Sequence, residues 1–157
     1  MYYAVFITPD KTLNKEIYKW KNKIKKDFLD SDHCYTSHPP HLTVFKLESE
    51  HKDKLILEFN KFSNKLNAFD LEVVKKNIFW NDPITKKNTI FYQVDKSESI
   101  SKIQLNLASS LSKYKSRRDA PAEITSNEIM LNSYKKYGFP FVGQHWIPHF
   151  SISSINL

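Results

Sequence analysis

Ser37-His38-Pro39-Pro40-His41-Leu42-Thr43-Val44-Phe45-Lys46-Leu47 has an echo near the other end of the chain, Trp146-Ile147-Pro148-His149-Phe150-Ser151-Ile152-Ser153-Ser154-Ile155. Each stretch is a proline-stiffened approach followed by histidine, an apolar residue, a hydroxyl residue and further apolar residues. The alternation predicts a β-strand in both places, with His41 and Thr43 on one face and Leu42 and Val44 on the other. His149 and Ser151 repeat the arrangement, with Phe150 and Ile152 opposite. Two residues along a strand span about 6.6–6.8 Å, so each stretch offers an imidazole and a hydroxyl side by side above an apolar face.

Two such pairs suit the cleavage of a phosphodiester without metal. The reaction needs a base for the nucleophile, an acid for the leaving oxygen, and donors for the charge on the non-bridging oxygens. Histidine can fill either proton-transfer role near neutral pH, and a hydroxyl can donate to phosphoryl oxygens. A single histidine on a strand is more often a hydrogen-bonded structural side chain. Two, each with a hydroxyl at the same offset, make the catalytic reading the better one.

In these two motifs, His41-Leu42-Thr43-Val44 and His149-Phe150-Ser151-Ile152, the chain resembles the 2H phosphoesterases, also called the 2′-5′ RNA ligase or cyclic phosphodiesterase family. The resemblance implies an α+β fold, a bilobal pseudo-two-fold arrangement of two antiparallel sheets with helices packed outside and a central cleft. It implies one domain over residues 1–157, with lobe one over about 1–80 and lobe two over about 88–157. It implies His41, Thr43, His149 and Ser151 as the catalytic set: one histidine as general base, the other as acid, and the hydroxyls holding phosphate. Which histidine takes which role stays open, because a pseudo-symmetric cleft admits substrate in either orientation. Familiar members continue with a further helix and strand beyond the second motif, whereas six residues follow Ser151 here.

Composition agrees with such a chain. Its 157 residues are 40% hydrophobic and 14% aromatic, ample for a packed core. The formal charge of +7 favours anionic ligands such as a nucleotide, RNA or an oligonucleotide, although lysines that merely solvate helix faces would give the same sum. Cys34 is the only cysteine, which excludes an intrachain disulfide and suits a reducing compartment. No apolar run approaches a membrane span, and Met1 to Ile7 lacks the features of a signal peptide. The expectation is a soluble, cytoplasmic monomer with no membrane contact and no cofactor.

Along the chain, uncharged Tyr2 to Ile7 predicts a central strand, and Leu13, Ile17, Trp20, Ile24 and Phe28 form one helical stripe. Leu55, Phe59, Phe62 and Leu66 mark a second helix, Phe69 to Trp80 a strand, and Asn81-Asp82-Pro83 a turn. The order then begins again: Thr89 to Val94 predicts a strand, and Ile100, Ile103, Leu107 and Leu111 a helix that starts near Ser97 or Ser99. Glu128 to Tyr134 predicts an additional strand that would complete the second lobe, and the glycine-containing stretch Tyr137 to Gly143 a loop.

Other constellations in the chain carry less chemistry than these motifs. His33, Cys34, His38 and His41 lie close together but fit no usual structural-zinc spacing, so no metal is expected. A lone Cys34 is better read as a small hydrophobe than as a nucleophile. Nothing resembles a glycine-rich phosphate loop, which disfavours ATP-driven chemistry. Arg117-Arg118 could clamp phosphate if their loop folds over the cleft. Trp146, Tyr92 and Tyr3 are candidates for substrate binding by stacking a base, with Phe6, Phe139 and Phe141 behind them; core packing is the commoner job for each, and Trp146, three residues before His149 and near the expected cleft mouth, is the best placed. Lys46 follows the first motif where some relatives carry arginine, though alternation turns it away from His41. The expected activity is a metal-independent phosphodiesterase acting on a 2′,3′-cyclic phosphate or a 2′-5′ linkage. Its rivals are an enzyme degrading cyclic or 2′-5′ oligonucleotide immune signals by the same chemistry, and a non-catalytic RNA-binding module.

Overall fold

The computed structural model describes residues 1–28 and 35–156. Five strands, β1 (Tyr2–Ile7), β2 (Leu42–Glu48), β3 (Val73–Phe79), β4 (Asn88–Val94) and β5 (His149–Ile155), form one sheet in the order β1-β2-β5-β4-β3. Pairing is antiparallel between β2 and β5, β5 and β4, and β4 and β3. The helices are α1 (Lys11–Asp27), α2 (Lys52–Ser63), α3 (Glu98–Leu111), α4 (Ala122–Thr125) and α5 (Glu128–Tyr137). The α+β class is as expected. The two sheets are not: every strand among the described residues belongs to this single sheet.

The chain divides into two compact units, each assembled from three separated stretches and not from the two sequence halves. The first holds Met1–Val5, Val44–Leu71 and Lys96–Ile147; the second holds Phe6–Thr43, Glu72–Asp95 and Pro148–Leu157. His41, Leu42 and Thr43 of the first motif and the whole of the second motif fall in the second unit, and Val44 in the first.

In the second unit α1 lies against β5. The Asp10 carboxylate caps the helix by accepting from the Leu13 N–H at 2.8 Å, and Lys25 and Lys26 stand in the last turn, where the helix dipole favours cations. Ile17 and Ile24 of the predicted stripe are buried, together with Leu42, Phe91, Tyr92, Val94, Phe150, Ile152 and Ile155. Each large apolar side chain removed from water contributes about 1.5–3 kcal/mol. Phe28 is exposed and follows the last helical residue.

The β3–β4 hairpin is closed by hydroxyls and one carboxylate. Asn81 and Lys86 take positive φ (49° and 59°), and the Ile84 N–H donates to the buried Asp82 carboxylate at 2.9 Å. Thr89 Oγ1 lies 2.6 Å from Asp82 and 2.9 Å from Ser154 Oγ, which is itself 2.6 Å from Thr85 Oγ1. A hydroxyl has one proton. The Thr89 proton is directed at the Asp82 carboxylate and shared with Ser154 Oγ, which meets Thr85 Oγ1 in turn, so one network ties the hairpin to the end of β5.

In the first unit α3 packs against α2 and α5. Ser97 caps α3, within the predicted start, and Ile100, Leu107 and Leu111 are buried. Gln104, fully buried, donates to the Phe141 carbonyl at 2.8 Å and accepts from the Gly143 N–H at 2.9 Å, pinning the loop after α5. The expected strand over Glu128 to Tyr134 is the helix α5. Asn127 caps it by accepting from the Met130 N–H at 3.1 Å, lysines close its last turn, and Gly138 ends it at φ 77°, donating to Tyr134 O at 2.7 Å. The short apolar run Ile129-Met130-Leu131 reads as either element, and the flanking caps decide it.

β1 is an edge strand, not the central one expected. Tyr2, Ala4 and Phe6 are exposed along one face, so the lack of charge has another origin. Tyr2 lies under the Lys46 ammonium, 5.0 Å from its ring centroid, and Phe6 lies against the His41 ring at 4.2 Å.

Candidate active site

The two motifs meet on adjacent strands. Leu42 of β2 pairs with Phe150 of β5 in an antiparallel register, and both are buried, 0% and 1% exposed. Carrying that register one residue either way sets Thr43 opposite His149 and His41 opposite Ser151. All four side chains share the face away from Leu42 and Phe150, and all four are half-buried. Residues directly opposite have Cβ atoms about 4.5–5.5 Å apart and diagonal neighbours about 7–8 Å. The two imidazoles therefore occupy one diagonal of a quadrilateral and the two hydroxyls the other.

His41 is oriented from both sides. Its Nδ1 lies 2.7 Å from the Pro39 carbonyl oxygen. A carbonyl can only accept, so Nδ1 carries the proton and donates, leaving Nε2 as the free nitrogen of the neutral ring. The tilted contact with Phe6 holds the ring plane. Upstream, the turn Tyr35–His38 is anchored from α1: the Lys21 ammonium, 1% exposed, donates to the Tyr35 and His38 carbonyls at 2.7 Å each. Burial and the nearby Lys25 charge lower the Lys21 pKa to about 8.

His149 sits among aromatic edges. Phe79 and Phe91 meet its ring at centroid distances of 5.0 and 5.1 Å, and stack on each other at 3.9 Å. Across β4, Gln93 pairs with His149 and Phe91 with Ser151. Asn77 of β3 donates through Nδ2 to Gln93 Oε1 at 3.1 Å. The sequence reading missed Phe79, Phe91, Gln93 and Asn77. Counting outward by strand alternation from the second motif finds them only once the β4–β5 register is known.

The remaining candidates are placed elsewhere. Tyr92 pairs with Phe150, which puts it on the opposite face of the sheet, and its hydroxyl donates to Glu16 of α1. Burial and that carboxylate raise its pKa. Tyr3, Lys46 and Trp146 belong to the first unit. Trp146 was expected at a cleft mouth but is only 3% exposed, a core side chain. Tyr3 is half-buried in β1, and Lys46 is exposed over Tyr2. Arg118 of the same unit is ion-paired to Glu48 at 2.8 Å, while Arg117 is exposed. Phe139 packs edge-on to Phe45 and Phe141.

Of the zinc cluster considered above, His33 and Cys34 lie outside the described residues. Among the described residues no group of three or more histidine, cysteine, aspartate or glutamate side chains could hold a metal ion, and no helix is long and apolar enough to cross a membrane.

A family model described as the 2′-5′ RNA ligase superfamily matches residues 9–156, a span that contains both motifs. No curated protein matches the chain.

Proposed function

The chain belongs to the 2′-5′ RNA ligase superfamily, the 2H phosphoesterases, and from that premise we propose that it is a metal-independent phosphodiesterase acting on an RNA-type phosphodiester. The scissile group is a 2′,3′-cyclic phosphate or a 2′-5′ linkage. The observation that carries this reading is the Leu42–Phe150 register, which sets the two motifs on neighbouring strands with their imidazoles on one diagonal.

A phosphorus atom over the centre of the quadrilateral has an imidazole towards each apical position and a hydroxyl towards each side. One imidazole takes the proton from water or a ribose hydroxyl as the new P–O bond forms. The other gives a proton to the departing oxygen as the old P–O bond breaks, so the reaction leaves the two rings with their protonation exchanged. Thr43 and Ser151 donate to the non-bridging oxygens, where negative charge gathers. The Nδ1 bond of His41 to Pro39 leaves Nε2 for the proton transfer in either role.

Incubation of the pure protein with 2′,3′-cyclic AMP, 2′-5′ diadenylate and 3′-5′ diadenylate tests the reading. Turnover of at least one of the first two, with 3′-5′ diadenylate untouched, is the expected result. Binding of all three with turnover of none would make the chain an RNA-binding module and overturn it.

A further inference from the structure

The motif face continues beyond His149. Gln93 of β4 lies opposite His149, and Lys75 of β3 lies opposite Gln93, so one row of the sheet reads Thr43, His149, Gln93, Lys75. Two contacts fix which way β3 faces. The Asn77 side chain bonds Gln93 on the motif face, whereas the Lys76 ammonium lies 4.0 Å from the Trp20 ring centroid of α1, on the other. Lys75 therefore shares the face of Asn77. It is exposed, and among the described residues it makes no ion pair.

The Gln93 amide is oriented by its neighbours on β3. Its Oε1 accepts from Asn77 Nδ2, and Asn77 Oδ1 accepts in turn from the Ile78 N–H at 2.9 Å, so the amide orientation is set. Gln93 Nε2, with two donors, is left with no partner among the described residues. We propose that Gln93 and Lys75 form a subsite for the phosphate next to the scissile one, so that the preferred substrate is an oligonucleotide and not a cyclic mononucleotide. The inference rests on the phosphodiesterase reading above and names its substrate class.

The spacing suits that occupant. Neighbouring strands lie about 4.7–4.9 Å apart, which places the Lys75 backbone two such steps, about 9–10 Å, from that of His149. One nucleotide and the reach of a lysine side chain span this distance. A lysine ammonium recognises phosphate as a point charge and adds no base preference, while the Gln93 amide can donate to a phosphate or sugar oxygen on the way.

The test uses two readouts, only one of which needs turnover. In Lys75→Gln, the ratio of kcat/KM for 2′-5′ triadenylate to that for 2′,3′-cyclic AMP should fall about tenfold, the loss of one charged phosphate contact. Binding of tetradeoxyadenylate, which has no 2′-hydroxyl, is measured as a function of salt in parallel. The slope of log K against log salt should become shallower by about 0.7 in the variant, one counterion fewer released. An unchanged ratio with an unchanged slope overturns the subsite. So does a ratio unchanged because both substrates suffer alike, which would put Lys75 at the scissile phosphate. Absence of turnover on any substrate, with the slope change present, would leave the subsite standing and remove the phosphodiesterase reading instead.

Discussion

Lys21→Met tests how the first motif is held. The substitution keeps an unbranched apolar stem and removes the buried ammonium together with its two hydrogen bonds. The Tyr35 and His38 carbonyls then lose the Lys21 donor, although Tyr35 O keeps the His38 N–H at 3.1 Å, at about 1–3 kcal/mol for an acceptor left buried without a donor, offset in part because no charge need be desolvated. The offset depends on pH. A lysine lowered from 10.5 to about 8 carries about 3 kcal/mol of differential interaction. Between these values the unfolded chain holds more protons than the native one, so the Lys21 contribution to stability grows as pH rises through 8 towards 10.5 and is lost as pH falls through 8. The neutral amine still has two N–H donors for two carbonyls, so deprotonation relieves the burial cost without breaking the anchor.

Urea unfolding of the wild type and Lys21→Met at pH 7.5, 8.5 and 9.5 isolates this residue by difference. The stability lost on substitution should increase by about 2 kcal/mol across that range. Tyr92, whose pKa is raised, titrates above the window and does not interfere. A difference that stays flat with pH would show that Lys21 is not buried as a charge and would refute its role as a buried cationic anchor. Turnover supplies a second reading. Pro39, whose carbonyl orients His41, directly follows the anchored turn, and a shift of about 1 Å at a catalytic group can cost about 10²-fold. Lys21→Met should accordingly lower kcat at pH values where the protein is fully folded.

His41→Ala and His149→Ala should each lower turnover about 10²–10⁴-fold, and the double variant much less than the product of the two losses, because the rings act in one displacement; near wild-type rate in either single variant would remove the mechanism. EDTA should leave the rate unchanged, since imidazolium and hydroxyl donors carry the charge stabilisation; a loss restored by zinc or manganese would revive the cluster around His38 and His41. The rate should be bell-shaped in pH, because only the singly protonated histidine pair is productive; a steady rise with pH would mean that no protonated histidine is needed. Thr43→Ala or Ser151→Ala should lower the whole curve, roughly 10²–10³-fold for an oxyanion-type donor, with its shape retained.

The motifs could be read from the sequence because their information is local. Strand alternation puts His41 with Thr43 and His149 with Ser151 whatever the strands pair with, and the caps at Asp10 and Ser97 are equally local. What depends on pairing could not be read. β1 looks central because its residues are uncharged, yet an edge strand can be uncharged where aromatic rings meet a cation and an imidazole. Glu128 to Tyr134 looks like a strand because three consecutive apolar residues carry no period; its identity as a helix comes from Asn127 and Gly138 outside it. Trp146 stands beside a proline before the motif, and no sequence feature distinguishes a cleft tryptophan from the buried one it is. Tyr92 fails for a different reason, a one-residue parity that turns it towards α1 while Phe91 and Gln93 face the motifs.

That parity is also why one sheet is enough to bring two motifs together. An antiparallel strand pair has its own two-fold axis normal to the sheet, and here it passes between Leu42 and Phe150, exchanging His41 with His149 and Thr43 with Ser151. The same pairing makes register decisive. Sliding β5 by one residue would turn His149 and Ser151 towards α1 and bring Phe150 and Ile152 to the motif face, burying two polar groups and exposing two of the largest core side chains. The apolar residues between the polar ones therefore set the geometry of the candidate site. Leu42 and Phe150 hold the register by burial, and the Asp82–Thr89–Ser154 network fixes the far end of β5. On the proposed mechanism, substitutions there should change turnover through the distance between the two imidazoles, without touching either ring.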